Sequence, residues 1–148
     1  MLIEERTADD PGLSALLDAA FAELVTRYGA EGRSLVHAAA RYLVASFAGQ
    51  PAGCVALQPA GPTTGELKRM YVSPEFRGRG IGRALLTELE ELASGLGYAR
   101  IRLATGVRQP EAIALYERSG YSLTPPYGKY VNDPLCRCYE KTIANPCG

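Results

Sequence analysis

Charge of neither sign prevails in this chain. Sixteen basic residues stand against 16 acidic ones in a length of 148. Without a net field, nothing global draws the chain to nucleic acid or to an anionic membrane, and neither is expected as a partner. No apolar run is long enough to cross a bilayer. The opening Met1-Leu2-Ile3-Glu4-Glu5-Arg6 brings acidic residues early and offers no apolar signal region, so a cytoplasmic protein is expected. Metal ligands are scarce. The single histidine, His37, has no partner pattern, and Cys136-x-Cys138 is completed poorly by Cys147 and His37. No metal is expected, and the four cysteines read as free thiols, with Cys54 in a core run. Repeats, linkers and low-complexity stretches are missing too, which leaves one domain over residues 1–148.

What remains is the composition of an ordinary soluble domain, 47% hydrophobic and 22% charged. A short strand is expected over 2–6. A helix follows, opened by Asp9-Asp10-Pro11 and stopped by Gly29 and Gly32. Its apolar residues Leu13, Leu16, Leu17, Ala20, Phe21, Leu24, Val25 and Tyr28 fall on one helical stripe. A second short helix is read over 34–40. Strands over 41–48 and 52–58 flank Gly49-Gln50-Pro51 as a hairpin. After the turn at 61–65 come a strand over 66–72 and a helix over 81–93, with Ile81, Leu85, Leu89, Leu92 and Leu96 as its core stripe. A strand over 98–105 puts Ile101 and Leu103 on one face. A helix over 110–119 has Pro110 in its first turn and stops at Gly120. Strands over 121–123 and 135–143 close a mixed α/β domain.

The richest stretch is Val72-Ser73-Pro74-Glu75-Phe76-Arg77-Gly78-Arg79-Gly80-Ile81-Gly82-Arg83, a strand, a glycine loop and a helix start. The first turn of a helix leaves amide N–H groups unpaired and carries roughly half a positive charge. Glycines let a bulky anion approach the main chain, and Arg77, Arg79 and Arg83 add charge. Such a loop cradles phosphate or pyrophosphate. It lacks the G-x-x-x-x-G-K-[ST] of a Walker loop, and it lies mid-chain without the third glycine of a dinucleotide fingerprint. The plainer alternative is a glycine-rich turn with solvated arginines.

Arg77-Gly78-Arg79-Gly80-Ile81-Gly82 resembles the R/Q-x-x-G-x-G/A motif of the GNAT (Gcn5-related) N-acetyltransferase family. The preceding Leu67-Lys68-Arg69-Met70-Tyr71-Val72 is similar to that family's fourth strand. Downstream, Ala112-Ile113-Ala114-Leu115-Tyr116-Glu117-Arg118-Ser119-Gly120-Tyr121 resembles its A-x-x-L-Y-x-x-x-G-F/Y segment. The order of elements agrees over nearly the whole chain. One position departs: where many members carry Asn three residues before that alanine, this chain has Gln109, an amide of longer reach.

The resemblance implies a GNAT-like fold, with a mostly antiparallel mixed sheet flanked by helices. It implies acetyl-CoA as cosubstrate and an amine of a small molecule or protein as acceptor, in a monomer or homodimer. Coenzyme A is expected between the strand of Met70 to Val72 and that of Ile101 to Thr105, which in this family splay apart, often after a bulge in the former. Its arm would lie along Met70, Tyr71 and Val72, its pyrophosphate on the amides of Arg77, Gly78, Arg79, Gly80, Ile81, Gly82 and Arg83, with Gln109 nearby. An amide near Met70 would polarise the thioester carbonyl. Tyr116 is the expected general acid for the leaving thiolate; the alternative is a core aromatic. Glu66, which opens the central strand and shares a face with Lys68, Met70 and Val72 if that strand is regular, is the expected base. The alternative is a carboxylate paired with a lysine or arginine. The polar and aromatic 127–133 segment either shapes specificity or merely crosses. Two other functions stay open: a non-catalytic acyl-CoA-binding module, and a nucleotide-binding protein.

Overall fold

The structure, a computed structural model, describes residues 1–29 and 36–143. Seven strands form one sheet: β1 (Leu2–Arg6), β2 (Arg41–Phe47), β3 (Gln50–Pro59), β4 (Thr64–Val72), β5 (Arg100–Gly106), β6 (Ser122–Thr124) and β7 (Cys136–Thr142). Their order is β1-β2-β3-β4-β5-β7-β6. Every neighbouring pair is antiparallel except β4 and β5. Among the described residues three α-helices accompany them: α1 (Pro11–Tyr28), α2 (Ile81–Gly95) and α3 (Pro110–Arg118). The mixed, mostly antiparallel sheet between helices is the architecture expected.

Local chemistry explains most boundaries. Asp10 caps α1 by accepting a hydrogen bond from Leu13 N at 2.9 Å, and Pro11 occupies the first turn, where no N–H is missed. The β2–β3 hairpin turns at Ala48 and Gly49, both with positive φ, so Gln50 and Pro51 belong to β3 rather than to the turn. Of the helix expected over 34–40, residues 34 and 35 lie outside the described residues. Residues 36–40 form a turn, in which His37 Nδ1 accepts from Ala39 N.

Two helical layers cover the sheet. On one face α2 and α3 pack through Ile81, Leu85, Leu86, Leu89, Ala93 and Tyr116 onto Val55, Leu57, Ile101 and Leu103. On the other, Leu13 and Leu16 of α1 meet Val44 and Cys54. Leu17 packs against this core from a half-buried position, whereas Val25, further along the stripe, is 39% exposed. Leu96, expected at the end of the α2 stripe, is 44% exposed.

The central strand is irregular. Between the pairs Ala56–Lys68 and Cys54–Tyr71, β3 advances two residues and β4 three. This bulge is centred on Arg69, a non-glycine residue at φ 59°. The bulge reverses the alternation of side chains. Met70 and Val72 pack toward the α2 face, whereas Tyr71 packs toward α1. The expectation that Met70 and Val72 share a face with Glu66 and Lys68 is therefore corrected: one extra residue turns the strand over. Pairing of β4 with β5 covers only Thr64–Arg100, Gly65–Ile101 and Glu66–Arg102. Beyond it the two strands part.

Candidate active site

A cavity of about 860 Å³ opens where β4 and β5 separate. One wall is the free edge of β4, from Leu67 to Val72; the other is Ala104, Thr105 and Gly106 of β5. The α1 stripe roofs it with Leu17, Ala20, Phe21, Leu24 and Tyr28. The far end of that roof is pinned. Tyr28 Oη accepts a hydrogen bond from Arg108 N at 2.7 Å, and a Cβ on Gly106 would lie 2.0 Å from the same oxygen. Only glycine at the end of β5 lets the tyrosine seat there.

At one end of the cavity the glycine loop meets the start of α2. Gly78 and Gly80 have φ of 79° and 78°, and a Cβ built on either meets nothing within 4 Å. Their role is conformational: they curl the main chain and leave open space above it. Gly80 is the N-cap of α2 and offers no side chain to satisfy the first-turn amides. These amides remain for an outside acceptor, which fits a pyrophosphate. Gly82 serves a different need. A Cβ there would stand 2.9 Å from Leu115 Cδ2, so the glycine lets α2 and α3 approach.

The arginines divide. Arg77 donates from Nε to Val72 O at 2.9 Å and from Nη2 to Glu23 Oε2 at 2.8 Å, tying the loop to α1. Arg79, expected at the cofactor, lies over the rings of Phe47 and Phe76, 5.6 Å from each centroid, and is not among the residues lining the cavity. Arg83 lines the cavity, as do Arg118 and Gln109. Gln109 is the N-cap of α3 but makes no capping bond with its side chain. Ile81 presents its side chain to the core.

Tyr116 is 3% exposed, edge-on to Tyr121, and among the residues lining the cavity. Burial pushes its phenol well above the ordinary value of 10. It therefore holds its proton at neutral pH, as an acid must before it gives one up. Cys136 also lines the cavity. Burial first, then its hydrogen bond to Asp133, pushes its thiol up to about 11. It is a protonated thiol at neutral pH and a poor nucleophile.

Glu66 lies elsewhere than expected. It is 5% exposed and is not part of the cavity lining. Arg102 Nε and Nη2 donate to its Oε1 at 3.2 and 3.1 Å, and Lys68 Nζ stands 3.4 Å from its Oε2. Both carboxylate oxygens are engaged by cations. Lys68 in turn donates to Tyr130 Oη at 3.1 Å. Arg102 stacks on the ring of Tyr127 at 3.9 Å, and Tyr127 meets Tyr130 edge-on. Tyr127 Oη is buried and makes no hydrogen bond among the described residues.

Of the residues singled out in the sequence, the glycine loop, the β4 edge, Tyr116 and Gln109 line the cavity together. Tyr28 and Gly106, which also line it, and Arg102, which holds Glu66, were given no place at the site by the sequence. Arg102 left a trace: an arginine that alternates with Ile101 and Leu103 inside a strand needs a carboxylate partner. Gly106, a glycine at a strand end, was a mark of close approach. The 127–133 segment contributes Lys129, Tyr130 and Asp133 to the wall, and so does more than cross. Among the described residues no cluster of His, Cys, Asp and Glu could hold a metal ion.

A parted pair of parallel strands, a glycine-capped helix start and a buried tyrosine define an acyl-CoA transferase cleft. The sequence model of the acetyltransferase (GNAT) family matches residues 7–121, and the chain belongs to that family. It is 42% identical over 105 residues to the IAA acetyltransferase of Azospirillum brasilense, spanning 70% of this chain and 68% of the relative. A solved structure from Klebsiella pneumoniae assigned to the acyl-CoA N-acyltransferases is 33% identical, with a TM-score of 0.84 over 97% of each chain. A GNAT family acetyltransferase from Elizabethkingia anophelis, solved with acetyl-CoA bound, shares the fold at a TM-score of 0.73 and 22% identity, over 95% of this chain and 97% of that one. The match spans about half or less of some longer curated relatives. The family uses acetyl-CoA, and that is the cosubstrate here. A non-catalytic acyl-CoA module finds no support among these relatives.

Proposed function

We propose that this chain transfers the acetyl group of acetyl-CoA to a primary amine of a small molecule or protein, by direct attack of the amine. The observation that carries the reading is the continuity of one cavity. It runs from the Gly78–Gly80 loop, along the free edge of β4, to Tyr116. The cosubstrate supplies a thioester carbonyl open to attack and a thiolate able to leave. The amides of residues 77–83, with Arg83, hold its diphosphate. The main chain of Met70, Tyr71 and Val72 pairs with its arm as an added strand would. The Met70 amide, next to the bulge, polarises the carbonyl. Gln109 adds a side-chain amide beside the arm.

Tyr116 Oη gives its proton to the departing sulfur and regains one from solvent, while the attacking nitrogen releases its surplus proton to solvent. The C–N bond forms as the C–S bond breaks, and no covalent enzyme adduct is needed. Cys136, held as a thiol, supports that direct route. Glu66 is assigned to fixing Lys68 and Arg102 rather than to taking the amine's proton, because both of its oxygens are already engaged. The amine then attacks from its neutral fraction. Free thiols at Cys54, Cys136 and Cys138 fit a reducing cytoplasm, and no helix among the described residues is long and apolar enough to cross a membrane.

The test is calorimetric titration with acetyl-CoA, followed by thiol release across a panel of amines. Saturable heat with acetyl-CoA, and thiol release with at least one amine, is the expected result. Binding without release from any amine would leave a binding module. No binding would remove the cradle and the reading with it.

A further inference from the structure

We infer that Tyr121 is a positioning residue for the proton donor Tyr116, and that Glu90 holds it to that task. Both roles rest on the acid function proposed above for Tyr116 and supply what aims that acid. Their origin is local. α3 ends in a Schellman turn: Gly120, at φ 92°, donates its N–H to Glu117 O at 3.3 Å, and Tyr121 N–H reaches Tyr116 O at 3.0 Å. In such a turn the residue after the glycine packs against the residue whose carbonyl it caps. Here that pair is Tyr121 and Tyr116, set edge-on with ring centroids 5.9 Å apart and planes at 62°.

Tyr116 lines the cavity, whereas Tyr121 is not among the lining residues. Both are 3% exposed. Tyr121 therefore stands behind the donor, on the side away from the cleft. Its own ring is anchored at the far end. Tyr121 Oη donates to Glu90 Oε2 of α2 at 3.1 Å, and Lys141 Nζ of β7 donates to Glu90 Oε1 at 2.9 Å. The Lys141 ammonium also lies 5.7 Å from the Tyr121 ring centroid. α2, β7 and the turn after α3 thus meet on one tyrosine. A second tie holds the same helix turn to the sheet: Tyr139 Oη of β7 donates to Glu117 Oε2 at 3.0 Å, one residue past Tyr116. Filling space alone would call for no polar anchor, because a phenylalanine does that without burying a hydroxyl. The anchor fixes the Tyr121 ring in depth and rotation, and the edge-on contact passes that constraint to Tyr116. Precision matters at this residue. A proton donor acts only within hydrogen-bond reach of its acceptor, and a misplacement of about 1 Å can cost on the order of 10²-fold in rate.

The experiment measures kcat at saturating acetyl-CoA and amine, with the amine that gives the fastest thiol release in the panel, and acetyl-CoA affinity by calorimetry. Tyr121→Leu removes the ring edge and should lower kcat about tenfold, with acetyl-CoA affinity within about twofold of wild type. Tyr121→Phe keeps the ring and loses the anchor, and should recover part of that loss. Glu90→Ala, at a partly exposed position, removes the anchor from the other side and should match Tyr121→Phe. Each change is then repeated in Tyr116→Phe, where no donor remains to be aimed and none should lower kcat further. Wild-type kcat in Tyr121→Leu would overturn the inference. So would the same fractional loss with and without the Tyr116 hydroxyl, the mark of a general disturbance of the core. Should Tyr121→Leu show no folded state in thermal melting, Glu90→Ala is judged by the same two criteria. Wild-type turnover in Tyr116→Phe alone would defeat the acid role and this inference with it, while leaving acetyl transfer standing.

Discussion

The two halves of β4 do different work although they are one strand. From Thr64 to Glu66 it is held on both edges, by β3 and by β5. From Leu67 to Val72 it keeps β3 and loses β5. The first half ends on a fixed side chain: Glu66 is locked with Arg102, and with Lys68 just past the point of parting. The second presents main chain: its free edge and the loop after it offer N–H and C=O groups. The bulge at Arg69 is the hinge between these modes. A backbone at φ 59° is an uncommon state for a residue with a Cβ, and its presence beside the cleft marks a constraint that the fold maintains. The lesson is a division of labour. In the function proposed above, recognition of a constant cosubstrate falls to the backbone, which mutation cannot easily alter, and recognition of the acceptor falls to side chains, which it can.

This contrast can be broken from either side. The largest effect should come from Gly80→Asp in the backbone half. At φ 78° an Asp adds about 1 kcal/mol of strain, and it sets a negative charge where the diphosphate belongs. Calorimetry should show no acetyl-CoA binding, and retained binding would refute the cradle. Next is Tyr116→Phe. Turnover should fall on the order of 10²-fold or more, with the acetyl-CoA Michaelis constant little changed, since a proton donor and not a binding contact is lost. Burial raises the Tyr116 pKa above 10, so the acid form survives as pH climbs. The alkaline fall in rate assigned to Tyr116 should begin no lower than about pH 10.

Smaller effects are expected in the side-chain half. Glu66→Gln leaves Lys68 and Arg102 short of one negative charge and should destabilise the fold by about 1–3 kcal/mol, toward the low end because Arg102 is partly exposed. The acid limb of the pH–rate profile should persist in this variant. Its disappearance, with turnover down 10²-fold, would restore Glu66 as the base. The smallest change is Tyr127→Phe. It removes a buried hydroxyl without a partner and keeps the ring on Arg102. Chemical denaturation should show stability unchanged or raised by about 1 kcal/mol.

The same contrast explains what could be read from the sequence. The glycine loop is local. Gly78, Gly80 and the α2 start lie within a few residues, so chain order alone reveals them. Asp10, the hairpin between β2 and β3 and Gly120 are legible for the same reason, although the hairpin turns at Ala48 and Gly49 rather than over Gly49-Gln50-Pro51. The bulge has no mark in the residues themselves, since nothing in Glu66-Leu67-Lys68-Arg69-Met70-Tyr71-Val72 departs from a regular strand pattern; only the resemblance implied one, and the side-chain faces were assigned without it. The cluster of Glu66, Lys68, Arg102, Tyr127 and Tyr130 joins three separate segments that only the folded sheet brings together. The α1 stripe was legible as apolar, but periodicity does not separate a face buried in a core from one that roofs a cleft. Leu13 and Leu16 do the first; Ala20, Phe21 and Leu24 do the second.

That divided helix has an engineering consequence. α1 is anchored like a beam with both ends built in, by Leu13 and Leu16 at one end and by the Tyr28–Arg108 bond at the other. Between them the span is held to the glycine loop through Glu23, which accepts from Arg77. Ala20, Phe21 and Leu24 can be exchanged for larger or smaller residues, and the chamber beneath will change its dimensions while the supports stay where they are. A library confined to those three positions would retune which acceptors fit and would leave the phosphate cradle untouched.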